Sequence, residues 1–184
     1  MNALTAYPVG TPTIGATAPV IVTERVRLRP LRAEDFVPYA AFLASPRSVH
    51  MDGPHDIDTA WNWFCNDTAH WNLFGYGALM IEVDGKLAGQ VSVTHGVQFP
   101  EPELGWFLFD SYEGKGFATE AATALRNHVY RNAGLRQLVS YCGSDNAASI
   151  AVAERLGAIY DPDAPRPNGD DCRVYRHPPR EAII

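Results

Sequence analysis

ELGWFLFDSYEGKGFATEAAT, from Glu103 to Thr123, runs from an alternating apolar stretch through a glycine-rich turn into an alanine-rich segment. Alternation over Glu103–Phe109 puts Leu104, Trp106 and Leu108 on one side of a strand and Glu103, Gly105, Phe107 and Phe109 on the other. Gly114 and Gly116 carry no β-carbon, so the turn can present backbone N–H groups outward. The helix that follows adds its unsatisfied first-turn donors and the positive end of its dipole. Together they predict a cradle for an anionic phosphate group. A G-x-G turn also occurs where two elements merely approach closely, so the motif alone does not decide the matter.

Working outward, the predicted helix of about Phe117–Asn132 places Ala118, Ala121, Ala122, Leu125 and Val129 on one stripe facing a sheet, and Gly134 ends it. A second strand–turn–helix unit follows, with an apolar run Leu135–Cys142 and a helical stretch Asp145–Ala158. Upstream, Tyr76–Val83 and Lys86–His95 are strand-like and joined by Asp84-Gly85, a strong hairpin signal. Residues 1–18, rich in Pro, Gly and Thr, read as a flexible tail. Val22–Leu28 alternates as one half-buried strand, ending at Pro30, and a helix is expected over about Glu34–Ala44. Asp58–Trp71 has helical spacing, with Asp58 as the expected N-cap. One or two further strands are expected near Ala158–His177, around the Pro/Asp/Gly-rich loop 161–171. This order predicts an α/β (α+β) fold, a mixed sheet flanked by helices, with residues 19–184 as one domain.

Composition agrees. A chain of 184 residues, 46% hydrophobic and 20% charged, can bury one sizeable core. Cys65, Cys142 and Cys172 are odd in number and widely spaced, which disfavours disulfides and leaves buried free thiols as the expectation. No His/Cys spacing suits a metal, and none is expected. Neither a leader nor a membrane span is evident, so a cytoplasmic location is expected. A net charge of −6 argues against general nucleic-acid binding. No G-x-x-x-x-G-K-[ST] is present, which removes P-loop nucleotide chemistry.

At Glu113–Ala118 the chain resembles the pyrophosphate loop of the GNAT family of acetyl-CoA-dependent N-acetyltransferases, in the branch of the ribosomal-protein N-terminal acetyltransferases RimJ and RimL. Asn146, Ser149 and Gly157 match a later N-x-x-S…L-G motif, and Thr23–Leu31 and Val174–Pro178 are similar to stretches of that branch. Glu113 departs from the Gln or Arg the family prefers, although the backbone cradle does not depend on it. The resemblance implies a mostly antiparallel twisted sheet in which Glu103–Phe109 and Leu135–Cys142 splay apart to admit the pantetheine arm. Phe107, Leu108 and Phe109 would pair with that arm, and Glu113, Gly114, Lys115, Gly116, Phe117, Ala118 and Thr119 would surround the diphosphate. Asn146 would contact the pantetheine amide or an ordered water, and Ser149 would lie near the sulfur. It further implies that the loop carrying Arg47, His50, Met51, Asp52, His55 and Asp56 walls the acceptor site. Homodimers are common among relatives, with no signature in this sequence.

Acetyl transfer from a thioester to an amine needs a neutral amine, a stabilised carbonyl oxygen and a hydrogen bond for the departing thiolate. Glu103 is the candidate base, with a solvated or ion-paired strand-edge carboxylate as the plain alternative; Glu82, Glu101 and His95 are lesser candidates. Ser149 is the candidate to assist the thiolate, since the resemblance matches it to a serine that related enzymes of the branch place near the sulfur; Ala153, standing where many relatives use a tyrosine, puts more weight on Ser149 or on water. A serine in a first helical turn often only bonds local backbone, and Asn146 can be only an N-cap. The expected partner is an amine, small or a protein N-terminus. The alternative from another class is a noncatalytic module that binds acetyl-CoA and never turns it over.

Overall fold

Asp84 and Gly85 adopt left-handed φ angles of 50° and 71°, the combination that lets a two-residue turn follow the twist of its strands. The hairpin they close, β3 (Ala78–Val83) and β4 (Lys86–Thr94), lies at the centre of the sheet. The computed structural model describes residues 17–97, 99–167 and 170–183. The tail expected over residues 1–18 falls, as far as residue 16, outside the described residues.

The expected single strand before Pro30 is instead two short ones, β1 (Ile21–Val22) and β2 (Arg27–Arg29), paired antiparallel. Thr23 breaks the run: its N–H donates to the Val26 carbonyl at 3.0 Å, and its hydroxyl accepts the Val26 N–H at 3.2 Å. Next come α1 (Phe36–Leu43), a 3-10 turn at Pro46–Met51 and α2 (Ile57–Phe74). The N-cap of α2 is Asp56, not Asp58, with its carboxylate accepting the Thr59 N–H at 2.8 Å. After β5 (Glu103–Leu108), α3 spans Phe117–Asn132. Then come β6 (Val139–Gly143), α4 (Ala147–Arg155), β7 (Ile159–Tyr160) and β8 (Cys172–Arg176).

Among the described residues the eight strands lie in the order β1-β2-β3-β4-β5-β6-β8-β7, and only β5 with β6 is parallel. On one face of the sheet Ala121, Ala122, Leu125 and Val129 of α3 are fully buried with Val91, Val93, Leu104 and Leu108. Each such Leu or Val contributes roughly 1.5–3 kcal/mol by leaving water. On the other face Tyr39, Phe42 and Phe64 of α1 and α2 enclose Phe107, and the Phe42 and Phe107 rings stack at 4.3 Å. Strands β4 and β5 approach so closely at Gly89 that a β-carbon there would sit 2.2 Å from the Phe107 carbonyl oxygen. Cys142 is buried as expected, Cys172 is half-buried and Cys65 is exposed.

Candidate active site

Strands β5 and β6 share a single register pair, Glu103 with Val139, and then diverge. At this pair Val139 N–H donates to the Pro102 carbonyl at 3.1 Å. At the apex the Ser140 hydroxyl donates to the Leu104 carbonyl at 2.5 Å. That uses its proton, so His177 Nε2, 2.9 Å from the same oxygen, is the donor in their bond. Burial, with help from nearby Arg126, pushes the His177 imidazole down to about 3, which keeps it neutral behind the apex.

Which backbone groups face the widening gap follows from the β4–β5 ladder. Phe109 N–H donates to the Ala88 carbonyl at 2.8 Å, and the antiparallel register makes Phe107 with Gln90 the next hydrogen-bonded pair. The main chains of Phe107 and Phe109 are therefore turned toward β4, and those of Trp106 and Leu108 toward the gap. Of the three residues expected to meet the arm, Leu108 alone turns its backbone into the gap; the Trp106 backbone turns there too, as strict alternation along the strand requires.

At the end of β5, Gly114 and Gly116 have φ of 70° and 84°, conformations that strain any residue with a side chain. Gly116 is the N-cap of α3 and no side chain caps the helix, which leaves the N–H groups of Phe117, Ala118 and Thr119 without a side-chain partner. Thr119 Oγ1 is buried with no hydrogen-bond partner in the structure. Glycines, uncapped donors and an orphaned hydroxyl fit an anionic oxygen-rich group. The Lys115 ammonium bonds the Ser111 carbonyl at 2.6 Å.

Arg25, unassigned from sequence, is held against this turn. Its Nη1 donates to the Lys115 carbonyl at 2.9 Å, its Nε to Glu120 Oε2 at 2.7 Å, and its guanidinium lies 5.2 Å from the Phe117 ring centre. Glu120 also accepts from the Thr23 hydroxyl at 2.5 Å and from the Arg25 N–H at 2.9 Å. Burial raises the Glu120 carboxyl, but these donors win and hold it below the ordinary range. Glu120 thus ties the β1–β2 turn to α3.

Glu103 starts β5 on the face covered by α1 and α2, beside Gly105 and Ser92; a β-carbon on Gly105 would stand 3.5 Å from Ser92 Oγ and 3.9 Å from the Glu103 carboxyl. The side chain is half-buried but deep in the fold. Burial pushes its carboxyl up to about 7, against a weaker opposing hydrogen bond from the Tyr141 backbone. Among the described residues it has no ion pair. The lesser candidates are otherwise engaged: Glu82 bonds Arg27 at 2.7 Å and Arg29 at 2.6 Å, and Glu101 takes the fork of Arg176 at 2.6 and 2.9 Å. Glu101 is thereby more than the turn marker its flanking prolines suggest. His95 is buried, which lowers its pKa.

Across the gap, Asn146 caps α4, its side-chain oxygen accepting the Ser149 N–H at 3.1 Å. This leaves the Asn146 amide NH2 for another partner. The half-buried Ser149 sits in the first turn of α4, and its hydroxyl makes none of the local backbone bonds common for such a serine. Ala153 is fully buried in a cluster with Cys142, Ala158 and Tyr175. Trp106 packs both with this cluster and with the main core, forming one wall of the gap.

The 46–51 turn lies near both arms of the gap. Arg47 donates to the Leu108 carbonyl at 3.0 Å and to Asp110 at 2.6 Å, and also pairs with Glu113. His50 lies 3.5 Å from Asp145, and Nδ1 of its ring would be 3.3 Å from a β-carbon on Gly143 at the end of β6. The other residues read as acceptor-facing divide differently: Asp56 caps α2, and His55 bonds the Met51 carbonyl at 2.6 Å and lies against Trp63. A cavity of about 330 Å³ beside Leu31, Thr68 and Trp71 lies apart from this site. Among the described residues there is no group of three His, Cys, Asp or Glu able to hold a metal, and no helix long and apolar enough to cross a membrane.

Comparison with known proteins agrees with this geometry. Residues 25–159 match the family described as Acetyltransferase (GNAT) domain. An acetyltransferase from Agrobacterium tumefaciens str. C58 is 47% identical and superposes with a TM-score of 0.84 over 88% of this chain and 95% of that one. The ribosomal L7/L12 alpha-N-protein acetyltransferase RimL, solved with coenzyme A, has a TM-score of 0.68 at 23% identity, covering 86% of this chain and 96% of that chain, a likeness of fold. The ribosomal-protein-serine acetyltransferase of Escherichia coli (strain K12) is 37% identical over 89 residues, 47% of this chain. That match spans 50% of the curated relative's length, and a match to another curated relative spans 32%.

Proposed function

Because the chain belongs to the GNAT family of acetyltransferases, we propose that it transfers the acetyl group of acetyl-CoA to a primary amine by direct attack in a ternary complex, with residues 19–184 acting as one catalytic domain. The observation that carries this reading is the divergence of β5 and β6 after one rung, with the Trp106 and Leu108 backbones turned into the gap. At one end of that gap stands the uncapped glycine turn, and at its apex the Glu103 carboxyl. The diphosphate would be held by the N–H groups from Gly114 to Thr119 and the Thr119 hydroxyl, and the pantetheine arm by the Leu108 and Trp106 backbones and the Asn146 amide. The acyl thioester supplies the electrophile and the leaving thiolate.

The chain's own residues then do three things. Glu103, with a pKa raised to about 7, takes a proton from the incoming ammonium directly or through a water. Ser149 donates its hydroxyl toward the departing sulfur. The α1–α2 side of the sheet closes off water around the amine, and the 46–51 turn edges the acceptor entrance. The acceptor is a small-molecule amine or a protein N-terminus, and the location cytoplasmic. The test is thiol release from acetyl-CoA across a panel of polyamines, amino acids, aminoglycosides and peptides with free N-termini. Turnover with at least one amine, with acetyl found on its nitrogen, is expected. Binding of acetyl-CoA without release on any amine would leave a noncatalytic module instead.

A further inference from the structure

We propose that Arg47 is a positioning residue for the cofactor: it offsets one of the two negative charges that this chain carries beside its phosphate turn, and clasps that turn to the end of β5. This rests on the reading that the Gly114–Gly116 turn holds the CoA diphosphate. Asp110 and Glu113 lie just before the first of those glycines, where unopposed negative charge would repel an incoming diphosphate. Arg47 meets both: Nη1 is 2.6 Å from Asp110 Oδ1, and Nη2 pairs with Glu113. The same Nη2 donates to the Leu108 carbonyl at 3.0 Å, one of the groups facing the gap.

The guanidinium is not a loose surface group. Its carbon lies 5.5 Å from the Phe42 ring centre, and that ring is stacked on Phe107 at 4.3 Å. The Arg47 backbone is fixed in turn, because Ser45 caps the 3-10 turn by accepting its N–H at 3.3 Å. A charge delivered from residue 47 to residues 108–113 joins the wall of the acceptor site to the cofactor turn. Arg47 is 29% exposed, whereas Asp110 and Glu113 are 86% and 65% exposed, so without the arginine both carboxylates would stand charged in water next to the turn.

Removing the arginine therefore takes the local net charge from −1 to −2 near the diphosphate, and removing the carboxylates reverses the effect. Calorimetric titration of CoA is expected to show binding about five- to tenfold weaker in Arg47→Ala than in the wild type at low salt. The difference should shrink at high salt, since screening acts on exposed charges. Adding Glu113→Gln to Arg47→Ala should recover most of the loss, a recovery that a purely structural role for Arg47 would not produce. Arg47→Lys should lie near the wild type. Should Arg47→Ala fail to fold, Asp110→Asn/Glu113→Gln in the wild-type background decides instead, because it leaves Arg47 unopposed and is expected to tighten CoA binding. Equal affinity of Arg47→Ala and the wild type, a loss that Glu113→Gln does not repair, or unchanged affinity in the Asp110→Asn/Glu113→Gln protein would overturn the proposal. If the wild type itself gives no heat with CoA, the reading of the glycine turn fails first.

Discussion

Glu103 owes its chemistry to position. A carboxyl at a sheet edge in water titrates in the ordinary carboxylate range, but at the apex of the β5–β6 gap burial raises it to about 7. A base with such a pKa is half ionised near neutrality, so the rate should climb as pH rises through about 7 and level off above it. Glu103→Gln is expected to lose that acid limb and to lower kcat by roughly 100-fold or more, with CoA affinity kept. A pH–rate profile superimposable on that of the wild type would remove Glu103 from the role. Glu103 could be chosen from sequence because it begins the strand that leads to the glycine turn and because the resemblance places a glutamate there in many relatives. Its lack of an ion pair was not legible, since that depends on Glu82 and Glu101 capturing Arg27, Arg29 and Arg176 from distant parts of the chain. Arg25 escaped notice for the same reason: 95 residues separate it from Glu120.

Among the elements, the glycine-rich turn, α3 and the central hairpin could be read in advance because each is fixed by short-range chemistry. Positive φ at Asp84, Gly85, Gly114, Gly116 and Gly134 marks turns wherever the chain goes afterwards. The first strand misread as continuous shows the opposite case. Val22–Leu28 alternates, yet Thr23 folds it into a hairpin whose turn is anchored on Glu120, a tertiary partner that overrides the pattern. The N-cap of α2 moved two residues upstream because Asp56 and Asp58 are equally suitable chemically, and only the path of the preceding loop selects between them. The approach of β4 to β5 gives an element-scale prediction. Gly89→Ala drives a β-carbon into the Phe107 carbonyl and should destabilise the protein by roughly 1–3 kcal/mol in urea unfolding. Gly96→Ala, with nothing within 4 Å of the new carbon, serves as the control and should be near neutral. Equal midpoints for the two variants would show that β4 yields freely at Gly89.

At the scale of the molecule, one sheet carries two kinds of order. Seven antiparallel or parallel pairings hold the eight strands together, and the β5–β6 pairing gives out after its first rung. The Ser140 hydroxyl and the neutral His177 behind it hold the apex, so the gap opens at a fixed point and not by fraying. Neither role was legible in the sequence, because the two bonds that matter join Ser140 to residues 36 and 37 positions away. From this arrangement comes the central claim: main-chain donors from Gly114 to Thr119 grip a diphosphate and lay a thioester arm along β5 toward Glu103 and Ser149. The direct measurement is calorimetric titration of coenzyme A into the wild type and into Gly116→Glu, with circular dichroism to confirm that both are folded. Saturable heat with one site in the wild type, lost in Gly116→Glu, is predicted. Absence of heat in the wild type, or equal affinity in a folded Gly116→Glu protein, would contradict it.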